Sequence, residues 1–549
     1  MRHRGTILLL GANDRATYSV AKNLKKHGYS SAVASWEDHP VKYSRFIEKF
    51  YHLSDIRQNV NSFFEEFLRL LKKENFSCII PINDVAVEFC SFFREEIERS
   101  CAVLGLNPPD IQKFAQNKYA LIELCRKLDI VTPETHLITT IDDFYSIKNN
   151  ISFPLIAKPI QSKKIIGNRV YNFTVKKFSD LRSLEDFVRE KILKVPLMLQ
   201  SVVEGYGVGF NFCSKEGHLI AYYMHERLRE PQGGGESSFR KTLLDDKYYI
   251  KEKSTHLIRQ IRWTGVGMLE FKIQNGQPYV MELNGRFWGS LEVGILSGVE
   301  IPFLHVCYNL EKNPLPTHPT TPTREVYVRN IRNDFLNVIK TRSPLNILYW
   351  ILSLSGHFLG NVMAEDSIFK DFKFRLFLWL ELFSKAASKV HFQLSYWHVK
   401  FFLKKPRINL LNTHNILFVC EGNICRSPFA AEYLKKIRPD LETESAGLQS
   451  EAMKLSPVYA IEAARAFGID LNMHTSQFIL DKDISKFDVI FIMDVSNYLK
   501  IKTLLPHYRK KIFFLNPEKE IRDPFGKDLD YFKDCYWEIA RVIDAIFKK

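Results

Sequence analysis

The chain has 549 residues, 46% of them hydrophobic and 25% charged, and carries a net charge of +15. Such a composition excludes a disordered or fibrous chain and has room for three or four domains of about 150 residues each. Nine cysteines, scattered through apolar stretches such as "NFSCIIPIN", lack the even spacing of a disulfide framework; a reducing compartment and a cytoplasmic location are expected. In the opening "MRHRGTILLLGANDRA" the apolar run lasts only from Ile7 to Leu10 before Gly11 ends it, too short for a signal peptide. The charge is uneven: +8 over residues 1–330, +7 over 331–411 and 0 over 412–549. No zinc-finger spacing or base-reading basic helix accompanies it, so nucleic acid is not an expected partner; nucleotide and phosphate substrates account for part of the excess.

From the N-terminus, "TILLLGAND" reads as a short apolar strand and a glycine turn. The following "RATYSVAKNLKKHGY" has apolar residues at three-to-four spacing, a helix that ends at Gly28. This order opens an α/β layer, and "FSCIIPIND" repeats the strand and turn. "NKYALIELCRKLDI" reads as a capped amphipathic helix, and "FPLIAKPI" as a buried strand ending at Lys158 and Pro159 before the polar "QSKKIIGNR". Further strands are expected in "LMLQSVVEG", "VGFNFCSKEGHLIAYYMHERL" and "VGMLEFKIQNGQPYVMELNGRF". They carry charges on strands that otherwise look buried, a local conflict that points to a site. A lysine at the end of an apolar strand, with acids on later strands, supplies what a magnesium nucleotide needs: a cation for the phosphates and hard oxygen ligands for the metal.

The ordered set "LIAKP", "LQSVVEGYGVGFNF", "MHERLREPQGGGES", "GVGMLEFK" and "VMELNGRFWGSLEVGILSGVEIP" resembles the ATP-grasp superfamily, particularly its carbamoyl-phosphate-synthase-like carboxylate-amine ligases, over roughly residues 6 to 310. Singly, Lys158 reads as a strand-end lysine and Glu270 as a rim carboxylate; the resemblance rests on the five motifs in order. It implies that Lys118 and Lys158 hold ATP phosphates and that the backbone of Gln200, Ser201, Val202 and Val203 forms the hinge that reads adenine. It also implies that Glu270, Glu282 and Asn284 coordinate Mg2+, or Mn2+ in its place, and that Arg286 clamps an acyl phosphate, as guanidinium groups do for oxyanions. Two departures bear on mechanism. "IQSKKIIGN" offers one glycine and two extra lysines where the family has a glycine-rich lid, and Gly285 stands where many relatives have proline.

Between Ser343 and Ala364 there is no Asp, Glu, Lys or Arg. Yet "PLNILYWILSLSGHFLGNVMA" holds Asn346, Ser353, Ser355, Gly356, His357, Gly360 and Asn361, which a spanning helix would bury in lipid, so a true span is not expected. The aromatic, basic stretches that follow, "FKFRLFLWLELFSKAASKV" and "LSYWHVKFFLKKPR", read first as core contacts for the N-terminal half. Peripheral membrane contact through an interfacial amphipathic segment is the alternative.

"NILFVCEGNICRSPFAAEYLKK" reads as strand, tight loop and helix, with five residues between Cys420 and Arg426 and Pro428 near the helix start. Such a loop turns backbone N–H groups toward one point, and this nest together with a helix N-terminus binds anions. A thiol in a positive field ionises more readily and becomes a nucleophile for the bound phosphate. An aryl leaving group still needs a proton, and "IRDPFG" supplies Asp523 as its donor. "VCEGNICRSP", "SAG" from Ser445, "MDVSN" from Met493 and "DPF" from Asp523 together resemble the low-molecular-weight protein tyrosine phosphatases from Asn415 onward. The resemblance implies Cys420 as nucleophile, Arg426 as phosphate clamp and Asp523 as general acid and then base. Asn423 and Ser427 would hold the loop and tune the thiolate, and His474 would support it. Cys425 matches a cysteine that pairs reversibly with the nucleophile and protects it from overoxidation. Gln477 in "HTSQ" departs from an arginine common in relatives. Arsenate reductases share this fold but need further resolving cysteines; beyond Cys425 only Cys535 remains, so a phosphatase fits better.

These readings predict a multidomain α/β protein. An ATP-grasp fold would consist of a pre-ATP-grasp α/β domain (1–110) and a nucleotide-binding domain of two α+β subdomains (111–330). A helical, basic, aromatic-rich segment (331–411) would join it to a three-layer α/β/α phosphatase domain with a parallel sheet (412–549). The expected activities are MgATP-dependent activation of an unidentified carboxylate for attack by an amine, and cysteine-dependent removal of phosphate from a phosphotyrosine protein or a small phosphorylated molecule. The alternative is a nucleotide-sensing or scaffolding N-terminal half that regulates an active phosphatase.

Overall fold

The computed structural model describes residues 4–192, 195–231, 236–311, 318–341, 343–354, 362–365, 371–402, 413–449 and 455–548. Residues 232–235, which include the three glycines of "MHERLREPQGGGES", and residues 355–361 and 403–412 of the middle segment lie outside the described residues. The chain divides into two compact units, one of Met1–Asp143, Asn149–Ser179 and Val195–Leu382, the other of Phe144–Lys148, Asp180–Lys194 and Phe383–Lys549.

The first unit opens with β1 (Thr6–Leu10), β2 (Ser30–Ser35), β3 (Lys49–His52) and β4 (Cys78–Pro81), a parallel sheet in the order β3-β2-β1-β4. Side chains alternate across it. Ile7 and Leu9 pack with the helix Ala16–Lys26, whereas Leu8 and Leu10 pack with the helix Val60–Lys73. Both faces are covered, which is why β1 is an unbroken apolar run. Next come β5 (Thr135–Ile138), β6 (Leu155–Pro159), the hairpin of β7 (Lys163–Ile166) and β8 (Arg169–Asn172), β9 (Lys176–Phe178) and β10 (Leu197–Ser201). Four of these form an antiparallel sheet in the order β5-β10-β6-β9.

A seven-stranded sheet completes the unit: β11 (Tyr206–Lys215), β12 (His218–Arg229), β13 (Phe239–Leu243), β14 (Gly265–Gln274), β15 (Gln277–Asn284), β16 (Tyr327–Arg329) and β17 (Val362–Ala364). Its order is β15-β14-β11-β12-β13-β16-β17. Two of its hairpins turn on Glu216-Gly217 and Asn275-Gly276, with φ of 49°, 84°, 53° and 79°. Positive φ at both central residues gives a turn whose twist matches that of the strands. From the second turn the register runs regularly to Phe271 opposite Val280, then shifts by one residue and sets Glu270 opposite Glu282. The middle segment joins this unit through β17 and the helices Ile331–Lys340 and Pro344–Leu352. Its buried Glu365 pairs with Arg15 at 2.8 Å and Arg240 at 2.9 Å, and Phe374 stacks on Tyr18 with centroids 5.3 Å apart.

In the second unit β18 (Asn415–Cys420), β19 (Glu442–Gly447), β20 (Val489–Ile492) and β21 (Ile512–Phe514) form a parallel sheet in the order β19-β18-β20-β21. Ile416, Phe418 and Cys420 face the helices Arg426–Ile437 and Leu529–Phe547, while Leu417 and Val419 face the helix Val495–Leu504. The layers are α/β/α, as the sequence predicts. Cys420 and Gly447 end their strands, and Asp494 and Asp523 follow two others. The chemistry-bearing residues therefore gather at the carboxyl ends of a parallel sheet, where ligands bind in open α/β folds.

Candidate active sites

In the first unit Glu270 on β14 and Glu282 on β15 are cross-strand partners, and Asn284 Nδ2 donates to both, at 3.0 and 3.2 Å. Lys118 opens a helix capped by the Asn117 side chain; its backbone N–H donates to Ile160 O at 2.9 Å and its ammonium lies 3.3 Å from Glu282. Lys158, buried on β6 opposite Met198, also faces this charge cluster. Burial holds the Lys158 ammonium below its ordinary value, and Glu282 partly offsets that. Burial alone would raise the Glu282 carboxyl, but the ammonium groups of Lys118 and Lys158 and the Asn284 amide bring it well below the carboxylate range. Burial raises Glu270; Arg227, 2.7 Å away, opposes that, and the nearby Glu282 charge adds to it. Two carboxylates and an amide oxygen are the hard donors a magnesium ion takes. Among the described residues no group of three His, Cys, Asp or Glu side chains gathers as a metal site, so the candidate rests on this Glu, Glu, Asn set.

Arg286 is held bidentately by Asp84, at 2.6 and 3.1 Å, and its third contact is Phe287 O at 3.0 Å. A cleft of about 280 Å3 beside the glutamates is lined by Arg15, Arg227, Glu236, Arg240, Arg286 and Trp288; a smaller one of about 70 Å3 is lined by Lys118, Lys163 and Asp84. Gln200 is buried on β10, and its Nε2 donates to Thr135 Oγ1 at 3.0 Å. Ser201 N–H donates to Glu134 O at 3.0 Å, Val202 is half-buried and Val203 is buried.

Both sequence departures have physical counterparts. The hairpin β7–β8 stands where the lid was expected and is tethered: Ile165 N–H donates to Glu88 at 3.0 Å, and Asn168 accepts from Val60 N–H at 3.2 Å and Asn61 N–H at 2.9 Å. Gly285 abuts the buried Trp263, whose ring would lie 2.6 Å from an added Cβ. A side chain there forces the indole or the backbone to shift.

In the second unit Cys420 Sγ accepts from Asn423 N–H at 3.3 Å and lies 3.1 Å from Ser427 Oγ. Asn423 has φ of 53° and is fully buried; its Nδ2 donates to Ser427 at 3.0 Å and Ser445 at 2.8 Å, and its Oδ1 accepts from Gln477 N–H at 2.9 Å. His474 Nε2 lies 2.7 Å from Asn423 O, and burial lowers its imidazole pKa. An added Cβ at Gly447 would meet the Asn423 side chain at 3.1 Å, so the "SAG" glycine lets the loop approach β19. Gln477 supports the loop through its backbone, which leaves the identity of its side chain free to vary. Arg426 is buried, with Asp494 2.7 Å and Asp523 3.0 Å away and Ile521 O accepting at 2.9 Å. Burial pushes the Cys425 thiol well up, and Tyr536 donates to Cys425 O at 3.2 Å. All nine cysteines are free thiols.

The structure thus brings Cys420, Asn423, Cys425, Arg426, Ser427, His474 and Asp523 together, and likewise Lys118, Lys158, Glu270, Glu282 and Asn284. Sequence reasoning assigned no role to Arg227, Asp84, Ser445 or Asp494. All four sit inside stretches quoted above, and what only the tertiary fold supplies is their partners.

Residues 415–549 match the family model described as low molecular weight phosphotyrosine protein phosphatase, and residues 194–333 the one described as ATP-grasp in the biosynthetic pathway with Ter operon. The chain is 33% identical over 131 residues to the low molecular weight protein-tyrosine-phosphatase Wzb of Escherichia coli K12, which covers 23% of this chain and 89% of that protein. It is 32% identical over 131 residues to Wzb of Salmonella typhi, over 23% of this chain and 88% of that one. Among solved structures it is similar to an L-amino acid ligase from Bacillus licheniformis, with 16% identity and a TM-score of 0.45 over 60% of this chain and 80% of that chain.

Proposed function

Since the chain belongs, through residues 415–549, to the low molecular weight phosphotyrosine protein phosphatases and carries an ATP-grasp domain in its N-terminal half, we propose that it is a bifunctional enzyme, ligase and phosphatase. The observation that carries the phosphatase reading is the Cys420 sulfur under an inward N–H of its loop, with the buried Arg426 beside it. A phosphate monoester entering the loop takes the Arg426 fork and displaces Asp523 from it. The sulfur attacks phosphorus, the bond to the ester oxygen breaks, and protonated Asp523 gives its proton to that oxygen. Asp523 then takes a proton from water as the water attacks phosphorus; the P–S bond breaks, and inorganic phosphate and the thiolate are released. A phosphotyrosine protein or a small phosphorylated molecule is the substrate.

In the ligase half, Glu270, Glu282 and Asn284 would hold a divalent ion, which would supply positive charge to offset that of the phosphates. Lys118 and Lys158 place ammonium groups on the transferred phosphate, and residues 200–203 seat the adenine edge. Arg286 receives the acyl phosphate with the N–H groups not engaged by Asp84 and Phe287. An amine or similar nucleophile then displaces phosphate from the activated carboxylate. The tethered β7–β8 hairpin favours a second reading, in which this half binds nucleotide without ligating and regulates the phosphatase.

ADP release that requires both an added carboxylate and an amine supports the ligase; ADP release indifferent to both, with nucleotide still bound, supports the sensor. Cys420→Ser should abolish phosphatase turnover while phosphate still binds. Asp523→Asn should slow the first step more for phosphotyrosine, whose phenol has a pKa of about 10, than for a nitrophenyl ester with its more acidic leaving group. An equal loss on both esters removes Asp523 from the acid role.

A further inference from the structure

Four residues form one row across the seven-stranded sheet: His225 on β12 pairs with Gly209 on β11, Gly209 with Glu270 on β14, and Glu270 with Glu282 on β15. Cross-strand partners project from the same face, so His225 stands on the face of the two glutamates, two strands or about 10 Å from Glu270. Gly209 puts no side chain between them, and the imidazole leans into that space: a Cβ added at Gly209 would collide with His225 Cε1. Arg227, two residues along β12, does the same over Gly207, where an added Cβ would lie 2.7 Å from Arg227 Cδ. The two glycines of β11 thus open a trough through which both side chains reach the cleft of about 280 Å3 that Glu270, Glu282 and Arg286 also line.

The place of the imidazole proton follows from its neighbour. Asn211, two residues beyond Gly209 and fully buried, donates from Nδ2 to Gly209 O at 3.1 Å and to Tyr223 O at 3.3 Å. Turning the amide over would set its oxygen against those two carbonyls, so Nδ2 is the atom that lies 2.9 Å from His225 Nδ1. Facing an N–H donor, Nδ1 carries no proton; the ring is neutral and its proton sits on Nε2. Burial, with Arg227 and Arg15 nearby, keeps the ring neutral by pushing its pKa down to about 3. His225 is 1% exposed, and among the described residues nothing hydrogen-bonds its Nε2. A buried N–H of this kind costs free energy unless something in the cleft accepts from it.

We infer that His225 binds the substrate of the ligase half: its Nε2–H donates to an oxygen of the carboxylate seated beside Glu270 and Glu282. This role rests on the reading of that half as a carboxylate-activating enzyme and adds a group that recognises the carboxylate. The order along the row supports it. Lys118 pairs with Glu282 at the far end, where phosphate groups are neutralised, and His225 stands at the near end, with the glutamates between. A neutral donor suits the place, because the guanidinium groups around it are already engaged by acids, Arg227 by Glu230 and Glu270 and Arg286 by Asp84. An uncharged N–H holds an oxygen without upsetting that balance. The cleft has the volume of about nine water molecules at about 30 Å3 each, which limits the substrate to a small carboxylate.

The test is NMR of the full-length protein carrying 15N-labelled histidine, with MgADP bound, acetate as the probe, and vanadate in the Cys420 loop so that the loop does not take the anion. His225→Phe assigns the signals by their loss. The His225 proton should be on Nε2, and acetate should shift Nε2 saturably where sodium chloride at the same ionic strength does not. His225→Phe keeps a planar ring and leaves Asn211 its two carbonyl acceptors, so it should fold; binding of 13C-acetate should weaken about tenfold or more. His225→Gln returns an N–H near the Nε2 position and should recover most of that loss, which a purely structural role for the ring would not produce. A proton on Nδ1, an Nε2 signal that acetate leaves unmoved, or a glutamine variant as weak as the phenylalanine one overturns the assignment. If ADP release ignores every added carboxylate while acetate still moves Nε2, the carboxylate site stands and ligation alone is rejected.

Discussion

Replacing Asn423 by alanine should unfold the phosphatase loop before it touches the chemistry. The side chain makes three hydrogen bonds, to Ser427, Ser445 and the Gln477 N–H, in a fully buried position. At about 1 kcal/mol each, with the partners left unsatisfied, their loss costs about 3 kcal/mol. The backbone adds a second contribution, because φ is 53° and the left-handed region costs an alanine about 1–2 kcal/mol. Asn423→Ala should therefore destabilise this unit by about 4 kcal/mol. Asn423→Gly loses the same bonds but escapes the left-handed penalty, at an entropic cost of about 0.5–1 kcal/mol, so it should be the more stable of the two by about 0.5–1 kcal/mol. Urea unfolding followed through loss of nitrophenyl phosphatase activity gives both values, and kcat/KM in the absence of urea should fall about tenfold or more as the N–H facing Cys420 shifts. If glycine proved no better than alanine, the conformational part of the argument would be wrong; if both lost under about 1 kcal/mol, so would the hydrogen-bond part.

Gly285→Ala forces a methyl group into the Trp263 ring and should cost about 1–3 kcal/mol while disturbing Asn284 and Arg286 on either side. In a Trp263→Leu background the same change should cost less, and strict additivity in that double-mutant cycle would refute the clash. Glu282→Gln should weaken magnesium-dependent ATP binding in calorimetry and slow turnover by at least about a hundredfold; parental behaviour in both rejects the metal assignment. The His474 imidazole should titrate below the usual 6.5 by NMR. Because its folded pKa is depressed, the stability it contributes is present above about pH 6.5 and is lost as pH falls toward the folded value. His474→Gln should flatten that slope, and a titration at or above 6.5 contradicts the burial argument.

The sequence by itself determined the local elements and their order. "ILFVC" is apolar at every position because β18 is covered on both faces, and the loop after it can be read because all its functional residues lie within eight positions of one another. The Asn117 cap and the strand "LIAKP" placed two lysines in the same way. What the sequence could not supply were partners far away along the chain: Asp84 on Arg286, Asp494 on Arg426, and Glu365 of the middle segment on Arg15. The register of β14 and β15 shows the limit most clearly. Asn275-Gly276 marks the hairpin, and a regular ladder from that turn would set Met281 opposite Glu270 and turn Glu282 to the face that Phe271 and Val280 bury. A one-residue shift after Phe271 brings Glu282 across from Glu270 instead. Because side chains alternate faces with a period of two, that single extra residue decides whether two carboxylates meet, and it is fixed by the packing of the whole sheet rather than by any motif.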